Sequence, residues 1–144
     1  MEYKVLTVIE PWATLIINGF KKIETRPQGI FWKNYRGIVL IHASKTFTDF
    51  VLKLCGQEPF KSLLKLCGIE SWNQFQFGSI IGSIEIVGCI FLDDFKPDEV
   101  EFSLGDYSFG RVGLLLRNPV KFNHPIPAKG QQGLWIYRGE INER

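Results

Sequence analysis

Gly19-Phe20-Lys21-Lys22-Ile23-Glu24-Thr25-Arg26 places three long charged side chains, Lys21, Glu24 and Arg26, just after a glycine stop. Its pattern is G-x-K-x-x-E-x-R. Upstream, Trp12, Leu15, Ile16 and Gly19 fall at i, i+3, i+4 and i+7, the apolar stripe of a short helix. Glu10-Pro11 opens that helix, because the N–H that proline lacks is unpaired in a first turn anyway. Asn18-Gly19 closes it, since glycine accepts the left-handed conformation that ends helices. Lys22 to Arg26 then reads as a strand of period two. Lys22, Glu24 and Arg26 share one face, and Ile23 and Thr25 take the other. Lys21 has the wrong parity and joins Glu24 and Arg26 only by projecting from the turn. A solvated surface has no need of that arrangement; a polar cleft does.

Around this segment, Tyr3 to Ile9 alternates as a strand, and Gly37 to His42 is an apolar run that predicts a strand buried on both faces. Between Thr46 and Phe75 the period becomes helical. Phe47, Phe50, Val51 and Leu54, then Phe60, Leu63, Leu64 and Cys67, predict two short helices parted by Gly56 to Pro59. Strands return over Ser79 to Leu92, where Gly82 and Gly88 suggest bulges, and over Val112–Arg117, Val120–Phe122 and Gly133–Tyr137. Asn118-Pro119 and Pro125 to Gly130 read as turns. About six or seven strands with two or three helices predict an α+β fold, a small mixed β-barrel rather than a βαβ sheet. No internal repeat, linker or low-complexity tract is evident. One domain over residues 1–144 is expected, long enough to bury a real core.

Composition excludes several classes. Hydrophobic residues at 45% and charged residues at 22% are ordinary for a folded protein, which argues against disorder. No apolar run reaches the roughly 18 residues of a membrane span. The start Met1-Glu2-Tyr3-Lys4 lacks signal-peptide character, so a cytoplasmic location is expected by default. Cys55, Cys67 and Cys89 share no C-x-x-C spacing and His42 and His124 are the only histidines, so buried thiols are expected and neither a metal nor another cofactor. The net charge is only +2, but it is unevenly spread. Lys21, Lys22, Arg26, Lys33, Arg36 and Lys45 face Glu24 alone in the first third, while seven acids between Glu85 and Asp106 face only Lys96. A basic region can attract phosphates even when the total is near neutral.

The motifs together resemble the ASCH domain of the PUA-like β-barrel superfamily. The matching pieces are Glu10-Pro11-Trp12-Ala13, Gly19-x-Lys21-x-x-Glu24-x-Arg26, Arg36-Gly37 with Ile41-His42-Ala43-Ser44-Lys45, Gly78-Ser79-Ile80-Ile81-Gly82, and Gly130-x-x-Gly133-Leu134-Trp135. They span nearly the whole chain in order. The resemblance implies a PUA-like barrel with a cleft beside the first helix, lined by the Lys-Glu-Arg run. It also implies binding of RNA or another nucleic acid. A smaller branch of the family hydrolyses the acetyl amide of N4-acetylcytidine with lysine, threonine and glutamate. In that branch threonine stands three residues after the lysine, where this chain has Glu24. Ribonuclease activity is also suggested within the family.

Lys21 and Arg26 are expected to hold an anionic or carbonyl oxygen while Glu24 orients them, Arg26 as a planar fork and Lys21 as a mobile point charge. The plainer alternative is a structural ion-pair network. Trp12 sits on the apolar helix face, either in the core or as a stacking platform. Trp32, in Phe31-Trp32-Lys33-Asn34-Tyr35-Arg36, either stacks a base or anchors a loop. His42 is a core histidine or a cleft residue, and Lys45 is a second phosphate contact. Glu85 is the second carboxylate if the protein is hydrolytic, with Lys21 and Glu24 as its catalytic companions. Arg111 and Lys129 are candidate rim cations. RNA, a nucleotide or a nucleoside is the expected partner, bound without a membrane. The alternatives are a metal-independent amidohydrolase acting on N4-acetylcytidine-type nucleosides, or a protein-interaction module docking through Asp93 to Asp106.

Overall fold

In a computed structural model, which describes residues 1–142, six strands form one curled sheet in the order β2-β5-β4-β3-β1-β6. They are β1 (Glu2–Val8), β2 (Ile23–Pro27), β3 (Gly37–Ala43), β4 (Ser79–Phe91), β5 (Arg111–Pro127) and β6 (Leu134–Arg138). The helices are α1 (Trp12–Ile17), α2 (Asp49–Cys55), α3 (Phe60–Leu66) and α4 (Glu99–Ser103), with a 3₁₀ turn at Trp72–Gln74. The expected α+β small barrel is present as a half-barrel open between β2 and β6. Only β1 and β3 run parallel; the other pairings are antiparallel. The expected extent to residue 144 runs beyond the described residues. No helix among them is long and apolar enough to cross a membrane.

Helix α1 ends as its composition dictates. Gly19 sits at φ +82°, and the Phe20 and Lys21 N–H groups both return to the Leu15 carbonyl at 2.9 and 3.1 Å. Ala13, Ile16 and Ile17 pack on Leu6, Val39, Ile41 and Ile84 of the sheet. Leu15 faces away, toward Phe60, Leu64, Phe75 and Leu104. The two halves of the helix therefore clamp the α2–α3 hairpin onto the sheet. Strand β3 alternates between two cores, with Val39 and Ile41 under α1 and Leu40 against Phe122 and Trp135. That is why its sequence is apolar throughout.

Three points of the sequence reading need correction, and one is that Pro125 to Pro127, read as the start of a turn, are still strand, the end of β5 pairing with β4. Asn118-Pro119 does not reverse the chain: β5 runs through it, with Asn118 at φ +57° and the register to β4 shifting between Ser83 and Glu85. The β4 ladder continues on both sides, so the pair makes a bulge, which bends a strand without ending it. Helix α4 escaped notice because its five residues are too short to show a helical period. The bulges expected at Gly82 and Gly88 are present as register shifts.

Gly82 is required by close approach. A Cβ there would lie 2.2 Å from the Val120 carbonyl oxygen and 2.9 Å from Ile17. Gly82→Ala is expected to cost about 3 kcal/mol, the upper end of core overpacking. Gly29→Ala, where a Cβ meets nothing within 4 Å, is the control. Urea denaturation of both variants checks this, and equal midpoints would refute it.

Candidate functional site

A cleft of about 760 Å³ opens beside the start of α1. Trp12 and Phe60 form an apolar wall, and Lys21, Glu24, Arg26 and Arg111 supply its charges. Each charged group is placed by a different local device. Lys21 projects from the turn after Gly19, as its parity requires, and is only 2% exposed. Its Nζ donates to the Leu104 carbonyl at 3.1 Å, and Trp12 Nε1 donates to the same oxygen at 2.7 Å. Burial holds the Lys21 amine below the usual lysine range, opposed by the charges of Glu24 and Glu101. Neither carboxylate makes an ion pair with it among the described residues.

Arg26 is fixed on three sides. Its Nε donates to Glu24 Oε2 at 3.0 Å, its Nη2 donates to the Thr7 carbonyl at 3.1 Å, and the guanidinium lies 5.9 Å from the Trp32 ring centre. Arg111 lies one strand away. It donates through Nη2 to the Thr25 carbonyl at 3.0 Å and through Nε to the Asp106 carbonyl at 3.1 Å, with the Asp106 carboxylate at 3.5 Å. Each guanidinium keeps Nη1 without a protein partner among the described residues. Two preset forks beside a buried amine suit a phosphate or carboxylate oxygen.

Of the residues singled out in the sequence, Lys21, Glu24, Arg26, Trp12 and the rim candidate Arg111 meet here. The others lie elsewhere. Trp32 is buried under α1 and backs the Arg26 guanidinium instead of offering a face to the cleft. His42 is a core residue in a relay of hydrogen bonds. Trp135 Nε1 donates to Thr7 Oγ1 at 3.0 Å, Thr7 Oγ1 meets His42 Nδ1 at 3.3 Å, and His42 Nε2 meets the Ala128 carbonyl at 2.7 Å. A carbonyl can only accept, so Nε2 carries the proton and Nδ1 accepts from the hydroxyl. Burial lowers the His42 pKa, which favours that neutral ring. Lys45 is exposed and folds over Gly78, and Glu85 accepts from Asn118 Nδ2 at 2.9 Å on the far side of the sheet. Lys129 is exposed and does not line the cleft.

Thr25 was expected on the opposite strand face, yet it also borders the cleft. The segment from Ser103 to Asp106 wraps β2, so that Thr25 Oγ1 accepts from the Asp106 N–H at 3.2 Å. The acids between Asp93 and Asp106 are largely engaged within the fold. Glu101 accepts from the N–H groups of Lys22 and Ile23 at 2.9 and 3.3 Å, Asp98 caps α4, and Asp93 accepts from the Gly110 N–H. Glu101 thereby positions the motif turn, a role that its place in an acidic run conceals. Among the described residues no three His, Cys, Asp or Glu side chains gather as a metal site. Another cavity, of about 720 Å³, lies on the α2–α3 hairpin between Leu52, Trp72 and Phe75, and no guanidinium lines it.

The chain belongs to the ASCH domain family, whose pattern it matches over residues 6–141. It is 27% identical to activating signal cointegrator 1 of Homo sapiens and 24% identical to that of Mus musculus, in each case over 96% of this chain. It spans only 23% of the length of those relatives. Its fold is similar to the crystal structure of ASCH from Zymomonas mobilis, with a TM-score of 0.54 at 14% identity, covering 94% of this chain and 87% of that one. The S128A mutant of the same protein superposes with a TM-score of 0.52 at 15% identity over the same shares.

Glu10, in the ASCH-like run Glu10-Pro11-Trp12-Ala13, does not line the cleft but is buried where α1 begins. The carboxylate is fully buried and accepts from Thr14 N at 2.8 Å and Thr14 Oγ1 at 2.6 Å. Glu58-Pro59-Phe60-Lys61-Ser62 repeats this helix start, with Glu58 accepting from Ser62 N at 3.0 Å and Ser62 Oγ at 2.6 Å. The bonds are alike but the titrations diverge. Exposed Glu58 is lowered by its hydrogen bonds, while burial pushes Glu10 up to about 7. A raised acid favours folding most where it is protonated, and that advantage is lost as pH rises from 4.5 to about 7. Over that window the penalty amounts to about 3 kcal/mol. Glu10→Gln is therefore expected to be more stable than the parent at pH 8 and no more stable at pH 4. Urea titrations at both values check this, and a pH-independent difference would sink it.

Proposed function

We propose that this ASCH domain binds single-stranded RNA, or a nucleotide of that kind, in the cleft between α1 and β2. One observation supports the reading: Arg26, Arg111 and Lys21, each with N–H groups that no protein acceptor takes up among the described residues, line a single concavity with an aromatic wall. Phosphate oxygens would meet the free Nη1 groups, and a base would lie along the half-buried Trp12. Glu24 keeps the Arg26 fork in place. Small barrels of this kind favour splayed bases over duplex grooves, where side chains reach base edges poorly in RNA.

Hydrolysis of an amide such as that of N4-acetylcytidine is a second reading. It is favoured by the buried amine of Lys21 and by Thr25 and Glu24 bordering the same cleft. Release of cytidine from N4-acetylcytidine by the parent, and its absence in Lys21→Met, would support it.

Fluorescence anisotropy with a short labelled RNA tests the binding reading. Arg26→Lys and Arg111→Ala are each expected to weaken affinity by about 1–3 kcal/mol with little sequence preference, and to flatten the salt dependence. Thermal melts confirm that each variant is folded. Unchanged affinity in both folded variants, or binding indifferent to salt, refutes the assignment.

A further inference from the structure

The Lys21 amine is held in a way that simple anion binding does not require. An ammonium carries three N–H donors, and among the described residues only the Leu104 carbonyl accepts from it. That carbonyl is shared with Trp12, and neither Glu24 nor Glu101 closes to ion-pair distance. A neutral amine makes the same bond and keeps a lone pair, so this setting favours an uncharged nitrogen. It faces a cleft large enough for a sugar phosphate, with two guanidinium forks at hand for the phosphate.

We infer that Lys21 captures the open-chain aldehyde of a phosphorylated pentose as an imine. The inference rests on the cleft being a nucleotide site, and it names the sugar carbonyl as the reacting group. The Nζ lone pair adds to the aldehyde carbon, the aldehyde oxygen takes up an amine proton, and loss of one water leaves the C=N bond. Arg26 and Arg111 hold the phosphate, which keeps the aldehyde within reach of the amine. Exposed Lys22, the next residue, carries the same functional group without the cleft and is a built-in comparison.

Reductive trapping decides it. The protein is incubated at pH 7 with ribose 5-phosphate and sodium cyanoborohydride, and adducts are located by fragment-ion mass spectrometry. Labelling of Lys21 is expected to exceed that of Lys22 by at least about tenfold, because only Lys21 shares a cleft with the two guanidinium forks that hold the sugar phosphate close. Ribose without phosphate should label Lys21 far less, and a single-stranded oligonucleotide bearing an abasic site should label it if the aldehyde comes from a nucleic acid strand. Lys21→Met should lose the adduct while its melting curve remains cooperative. Equal labelling of Lys21 and Lys22, or equal labelling by ribose and ribose 5-phosphate, overturns the inference. RNA binding without trapping would remove the imine alone, and trapping without RNA binding would remove the nucleic-acid reading alone.

Discussion

The hydrogen bond from Arg26 to the Thr7 carbonyl spans the open seam of the half-barrel, joining edge strand β2 to β1 near the opposite edge. Thr7 is tied from three directions. Its hydroxyl receives Trp135 and meets His42, while its carbonyl receives Arg26. The start of β6, the end of β3 and the G-x-K-x-x-E-x-R segment thus converge on one residue. Because the Arg26 guanidinium is also held by Glu24 and backed by Trp32, closing the seam and shaping the cleft are the same event. A charge that might have decorated the surface is instead part of the frame.

The other side of the cleft depends on the Leu104 carbonyl. It lies just past α4, far from α1 in sequence, and accepts from both Trp12 and Lys21. Glu101, one turn earlier, receives the N–H groups of Lys22 and Ile23. The acidic segment therefore docks onto the motif turn chiefly through backbone groups. This arrangement buries Lys21 without giving it a close counter-ion, which is costly for an ammonium and suits a neutral amine or an amine awaiting an oxygen ligand.

Glu10 and Glu58 show how far environment alone can divide two identical devices. Each carboxylate precedes a proline, and each accepts from the backbone and the hydroxyl of the residue four positions on. Glu58 stands in water and is held more acidic by those bonds. Glu10 is buried at the start of α1, where burial outweighs the same bonds; the Cys55 and Cys67 thiols are pushed up to about 11 by their own burial, with the charge of Glu10 adding to it. The likeness of the two runs of sequence hides this contrast, because burial is not a property of a pentapeptide.

Periodicity and local backbone chemistry were enough to place α1, its glycine stop, the polarity of β2 and the doubly buried β3, while the ordered motifs carried the family resemblance. These rest on neighbours within a few residues, where 3.6 and 2 are the only repeats in play. Local signals also marked Lys21, Glu24 and Arg26 as one group, since one turn and one strand carry all three. What they could not show is who sits opposite. Arg111, Leu104 and Glu101 reach the motif only through folding contacts of about eighty residues' separation, and His42, Lys45, Trp32 and Glu85 are drawn elsewhere by the same contacts. Hydrogen-bond partners and loss of solvent are set in three dimensions, so the composition of the cleft belongs to the tertiary structure even where its charged core was already legible in the chain.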